Sequence, residues 1–75
     1  MNKFIVDGEP WEEKELIKEL ERQFKKLYPH SSLDVIEFEY EEDGEYYFNC
    51  LADDRNYQIM VNSETSKIYW DRDLG

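Results

Sequence analysis

Residues 36–48 read IEFEYEEDGEYYF, with six acids and no base. Two runs that alternate with period two, from Ile36 to Glu41 and from Glu45 to Ala52, flank an acidic turn that carries Gly44. That pattern predicts a β-hairpin, and the turn decides which side chains share a face. A two-residue loop, Asp43-Gly44, would set Asn49 beside Phe38 and aim Tyr46 and Phe48 at the glutamates. A three-residue loop, Glu42-Asp43-Gly44, gathers Ile36, Phe38, Tyr40, Tyr46, Phe48 and Cys50 on one apolar face, with glycine at its left-handed position. The expectation from sequence is the three-residue loop. Glu37, Glu39 and Glu41 then stand in a row on the outer face, about 6.6 Å apart, with Tyr47 and Asn49 beside them.

Outward from the hairpin, Asp53-Asp54-Arg55-Asn56 reads as a second turn. Tyr57, Ile59 and Val61 then alternate with Gln58, Met60 and Asn62. Asn62 to Ser66 forms a third turn, and Lys67 to Asp71 a last strand with Ile68 and Trp70 on one face. On the N-terminal side, Leu16, Ile17, Leu20, Phe24, Leu27 and Tyr28 recur at helical spacing between Trp11 and Tyr28. Asp7-Gly8-Glu9-Pro10 reads as the start of that helix, with proline in its first turn. Tyr28-Pro29 ends it. Glutamates 12, 13 and 15 suit the positive end of the dipole, Lys25 and Lys26 the negative end, and Glu21 and Lys25 have i, i+4 spacing. Lys14, Lys18, Arg22 and Lys25 form an outer basic stripe. Residues 3–6 form a short edge strand or arm. The predicted class is α+β, a single domain spanning 1–75: one N-terminal helix packed on a four-stranded antiparallel β-meander, in two layers.

A chain of 75 residues buries about 60 % of its unfolded surface. Two tryptophans, six tyrosines and four phenylalanines supply material for that core. No apolar run approaches the ~20 residues of a membrane span, and no secretory leader is expected, so the predicted setting is the cytoplasm. The single Cys50 suits a reducing compartment.

The net charge of −10 is unevenly placed. Residues 27–54 hold nine acids (Asp34, Glu37, Glu39, Glu41, Glu42, Asp43, Glu45, Asp53 and Asp54) and no lysine or arginine. Such a segment repels nucleic acid and anionic membranes and attracts basic surfaces.

Chemistry is sparse. His30 sits in a Pro-His-Ser-Ser connection and reads as an exposed loop residue; Cys50 lies on the apolar face and reads as a buried thiol. No nucleophile–base pair assembles from these parts. Asp71-Arg72-Asp73-Leu74-Gly75 begins like a calcium loop but lacks its later ligands, and three scattered glycines form no phosphate loop. The sequence therefore predicts no enzyme, no cofactor and no metal site.

The acidic segment has two explanations. A solvated face would keep the protein soluble, but surfaces built for solubility intersperse signs. Glutamate is also a poor strand former, so several in one hairpin oppose local propensity. A cationic partner accounts for both features. The predicted contact set is Asp34, Glu37, Glu39, Glu41, Glu42, Asp43, Glu45, Tyr47, Asp53 and Asp54.

In size, acidity and layout, and across DVIEFEYEEDGEYYFNCLADD (residues 34–54), the chain resembles the phage-encoded DNA mimics that disable host DNA-binding proteins. Members of that group inhibit uracil-DNA glycosylase, restriction enzymes, Cas nucleases or histone-like nucleoid proteins of the HU type. The resemblance implies a monomer or homodimer that binds a basic DNA-binding protein of the host and does not itself bind DNA; among these targets HU is the expected one, since a compact basic dimer suits a small acidic decoy. A second resemblance lies in YQIMVNSETSKIYWD (residues 57–71), which is similar to the closing hairpin of PepSY-type inhibitory domains, although Ser66 stands where glycine is usual. An immunity protein capping a basic nuclease is the third alternative.

Overall fold

The structure is a computed structural model, and it describes residues 3–72. A hairpin of β1 (Lys3–Val6) and β2 (Glu9–Glu12) precedes one helix, α1 (Glu13–Leu27). Four strands follow: β3 (Leu33–Glu42), β4 (Glu45–Ala52), β5 (Arg55–Asn62) and β6 (Ile68–Arg72). They form an antiparallel sheet in the order β3-β4-β5-β6. The predicted α+β meander is present, with the helix on one face of the sheet and the β1–β2 hairpin as an addition.

The N-terminal reading is corrected. Asp7 and Gly8 have φ of 53° and 79°, the left-handed pair of a two-residue type I′ hairpin turn, so they close β1 onto β2 and do not open the helix. Pro10 lies in a strand opposite Ile5. It is tolerated because Ile5 turns both backbone groups toward Tyr46: its N–H donates to the Tyr46 hydroxyl at 3.0 Å, and that hydroxyl donates back to the Ile5 carbonyl at 3.3 Å. At the facing position in β2 no N–H is required. The helix starts at Glu13, and the Glu12 N–H is capped by Glu15 Oε1 at 3.2 Å. Leu16, Leu20 and Phe24 are buried as the spacing predicts, whereas Leu27 is 54 % exposed. The helical ion pair joins Glu19 to Arg22 rather than Glu21 to Lys25.

The β3–β4 turn is also corrected. Asp43 and Gly44 form a second two-residue type I′ turn, with φ of 51° and 76°, so Glu42 faces Glu45 and Glu41 faces Tyr46. Continued unbroken, this register would put carboxylates on the core face. A β-bulge at Glu39 prevents it: Tyr40 pairs with Tyr47, Glu39 is unpaired, and Phe38 pairs with Phe48. Ile36, Phe38, Phe48 and Cys50 thus share the inner face as expected. Tyr40 moves to the outer face, and the predicted row of Glu37, Glu39 and Glu41 is broken.

Two covers close the inner face, each with its own aromatic cluster. From β1, the Phe4 ring lies 4.9 Å from Phe38 and from Tyr46 and 5.8 Å from Phe48. From α1, Phe24 lies 5.1 Å from Tyr28, 5.6 Å from Tyr57 and 5.9 Å from Trp70. Edge-to-face and tilted contacts of this kind add about 0.5–1.5 kcal/mol per pair to area burial. Backbone bonds then tie three turns together at one end. The Asp7 N–H donates to the Ser63 carbonyl at 2.8 Å, and the Ser63 N–H and hydroxyl donate to the Gly44 carbonyl at 2.9 and 2.6 Å.

Two predictions follow from this packing. Ser66, exposed with φ of 60°, occupies a left-handed position that L side chains resist. Ser66→Gly is expected to stabilise the fold by about 0.5–1 kcal/mol, raising Tm by about 3–6 °C, while Ser66→Ala gives no gain; thermal unfolding by circular dichroism checks both. The Cys50 thiol is fully buried, and desolvation, with a smaller contribution from the Glu21 charge, pushes its pKa from 9.0 up to about 11. A thiol that ionises later in the folded than in the unfolded chain contributes stability that is complete below about pH 9 and lost as pH rises toward 11. Urea unfolding from pH 8 to 10.5 should therefore cost the native sequence about 1–2 kcal/mol more than Cys50→Ala.

Candidate functional site

The helix and the β1–β2 hairpin cover one face of the sheet and leave the other open. Strand register places on the open face Val35, Glu37, Tyr40 and Glu42 of β3, and Glu45, Tyr47, Asn49 and Leu51 of β4. Asn56, Gln58, Met60 and Asn62 of β5, with Tyr69 and Asp71 of β6, complete it. None of these paired positions carries lysine or arginine.

The ten residues predicted as a contact set do not form one surface. Glu37, Glu42, Glu45 and Tyr47 lie on the open face, and Asp43 sits at the turn beside them. Glu41 faces Tyr46 on the opposite side of the sheet. Glu39 and Asp34 fall at the two register irregularities of the edge strand β3, unpaired and exposed. Asp53 and Asp54 form the type I′ turn at the far end of β4, about 26 Å from the Asp43 turn. Asp53 has a structural task there: its Oδ1 accepts the Ser32 N–H at 3.0 Å and its own N–H donates to the Ser32 carbonyl at 3.1 Å. This double bond pins the helix–β3 connection to the β4–β5 turn.

The tightest grouping is at the hairpin end. Glu42, Asp43 and Glu45 surround the stacked rings of Tyr40 and Tyr47, whose centroids lie 4.5 Å apart at an interplanar angle of 11°. Desolvation first, then the charges of Glu45, Tyr40, Glu42 and Asp43, hold the Tyr47 phenol above its ordinary range. Among the described residues, the only ion pair is Glu19–Arg22 on the helix, and the carboxylates of the sheet have no ion-pair partner there. The guanidinium of Arg22, with help from Gln23, holds the Glu19 carboxyl below its ordinary value.

Tyr40, Met60, Tyr69, Val35, Leu51 and Asp71 belong to this face but not to the predicted set. Period two carries part of the signal, since Tyr47 and Met60 alternate with buried residues and Tyr69 with the half-buried Ile68 and Trp70. Tyr40 could not be found that way, because the bulge reverses its parity.

Other chemistry is remote. His30 is exposed in the loop after α1, and Cys50 is enclosed by the core. Among the described residues no group of three His, Cys, Asp or Glu side chains is placed to hold a metal ion. Residues 73–75 of the calcium-like segment lie outside the described residues. A shallow depression of about 320 Å³ beside Arg22, Gln23, Lys26 and Leu27 lies on the helix side. Lys14, Lys18, Arg22 and Lys25 are exposed there as well, so the basic stripe and the acidic face occupy opposite sides of the molecule. Among the described residues no helix is long and apolar enough to cross a membrane.

No family model, no curated protein and no solved structure matches the chain.

Proposed function

We propose that this chain is a non-enzymatic DNA mimic of the cytoplasm that occupies the DNA-binding surface of a basic protein, such as a histone-like nucleoid protein of the HU type, and blocks its binding to DNA. The observation that carries this reading is the group Glu37, Glu42, Asp43 and Glu45 on and beside the open face, which has no ion-pair partner among the described residues and sits where the turns are fastened to one another. Glu37, Glu42, Asp43 and Glu45 lie within about 16 Å along the hairpin, about one charge per 4 Å, a little over twofold sparser than duplex DNA at about one per 1.7 Å of axis. Lysines and arginines that ordinarily neutralise phosphates would meet oxygen acceptors at comparable density. Rigidity favours the same outcome, because a preformed surface loses little conformational freedom on binding.

The broken glutamate row selects the residues for the test. In a gel-shift competition with HU and labelled duplex DNA, excess protein is expected to release free DNA without a ternary band. A stable ternary complex, or no effect at excess, would count against mimicry. Changing Glu37, Glu42 and Glu45 together to glutamine should raise the concentration needed for half-displacement about tenfold, as three surface charge contacts at about 0.5 kcal/mol each sum to about 1.5 kcal/mol. Changing Glu9, Glu13 and Glu64 to glutamine removes the same charge from exposed sites elsewhere and should cost about twofold or less, through diffuse attraction alone. Equal losses in the two triple variants would remove the open face as the site.

A further inference from the structure

The open face carries an aromatic row that extends beyond the core. Tyr40, Tyr47, Met60 and Tyr69 stand directly opposite one another across all four strands, a span of about 14 Å at ordinary strand spacing. Tyr40 and Tyr69 are 43 % and 49 % exposed, so their rings contribute less to the core than to the surface. The row is flanked by carboxylates on both sides. One neighbouring rank is Glu37, Asn49, Gln58 and Asp71; the other is Glu42, Glu45 and Asn62.

We infer that this row is a docking surface for arginine side chains of a polypeptide partner, which stack on Tyr69 and on the face of Tyr40 turned away from Tyr47 while their guanidinium groups reach the flanking carboxylates. The inference rests on the basic-partner reading above and adds the residue type that the partner presents. Charge complementarity calls for a cation, and the aromatic row selects among cations. A guanidinium is planar and weakly hydrated, so it lies flat on a ring and still offers in-plane donors to a carboxylate. A lysine ammonium is compact and strongly hydrated and gains much less from the rings. A second copy of this chain fits poorly: its helical stripe is mainly lysine, and the one arginine there, Arg22, is already bound to Glu19.

The test uses the intact protein and fluorescein-labelled octa-arginine and octa-lysine, titrated by fluorescence anisotropy at about 150 mM salt. Octa-arginine is expected to bind at least about fivefold more tightly than octa-lysine. The double variant Tyr40→Leu/Tyr69→Leu, which keeps apolar area but loses two ring faces, should reduce that preference to less than about twofold while octa-lysine affinity holds. Circular dichroism establishes that the variant is folded, and Tyr69→Leu alone, at the far edge strand, provides the milder form of the same test. Equal affinity of the two peptides for the native sequence overturns the arginine inference and leaves the acidic docking reading standing. Binding of neither peptide overturns both. A preference for arginine that survives the tyrosine changes removes the row as its source. Native self-association in sedimentation runs, abolished by the double variant, would assign the face to a second copy and overturn the inference.

Discussion

The pairing of β3 with β4 depends on one residue that has no partner. Asp43-Gly44 closes the hairpin in a two-residue turn, and that turn alone would align Glu41, Glu39 and Glu37 with Tyr46, Phe48 and Cys50 on the core face. Glu39 is instead extruded as a bulge, so the pairing beyond it shifts by one and Ile36 and Phe38 enter the core. Tyr40, on the turn side of the bulge, keeps the register set by Asp43-Gly44 and faces outward to stack on Tyr47. The two-residue turn thus sets the outer aromatic row, and the bulge restores the inner core. The bulge, with the irregularity at Asp34, also falls on an edge strand, where extra twist and exposed acids discourage pairing with another chain.

A sheet with one open face needs a well-sealed opposite face, and here the seal has two parts. The helix brings Leu16, Leu20 and Phe24, and the β1–β2 hairpin brings Phe4 and Val6, all nearly or fully enclosed. Tyr46 joins hairpin to sheet through both an aromatic contact and a buried hydroxyl bonded to Ile5. Satisfying that hydroxyl matters because an unpaired buried polar group costs about 1–3 kcal/mol. The Asp7–Ser63–Gly44 chain of bonds carries the same connection out to the turns, and it is this end of the molecule that displays Glu42, Asp43 and Glu45.

Such a display has an energetic cost within the fold. Glu42 stands directly opposite Glu45, an arrangement of like charges that destabilises a sheet by a few tenths of a kcal/mol. Nothing in the packing of the core demands carboxylates there. Neutral polar residues would serve the strands better.

The sequence by itself determined the element types of the sheet and the helix, because hydrophobic periodicity is a local property: Leu16, Leu20 and Phe24 share one helical sector, and Tyr57, Ile59 and Val61 share one strand face. It also determined the concentration of acid in residues 27–54. Register was left to the tertiary structure. A period-two pattern is indifferent to where one extra residue is inserted, so Glu39 could be located only once Phe38 and Phe48 had to meet over Phe4. Asp7-Gly8 misled for a related reason. Proline two residues on fits a helix start as well as an edge strand, and only the docking of Ile5 on Tyr46 decides between them. The candidate face was legible in its charge and illegible in its outline, since Tyr40, Met60 and Tyr69 lie far apart along the chain and become neighbours only through cross-strand pairing.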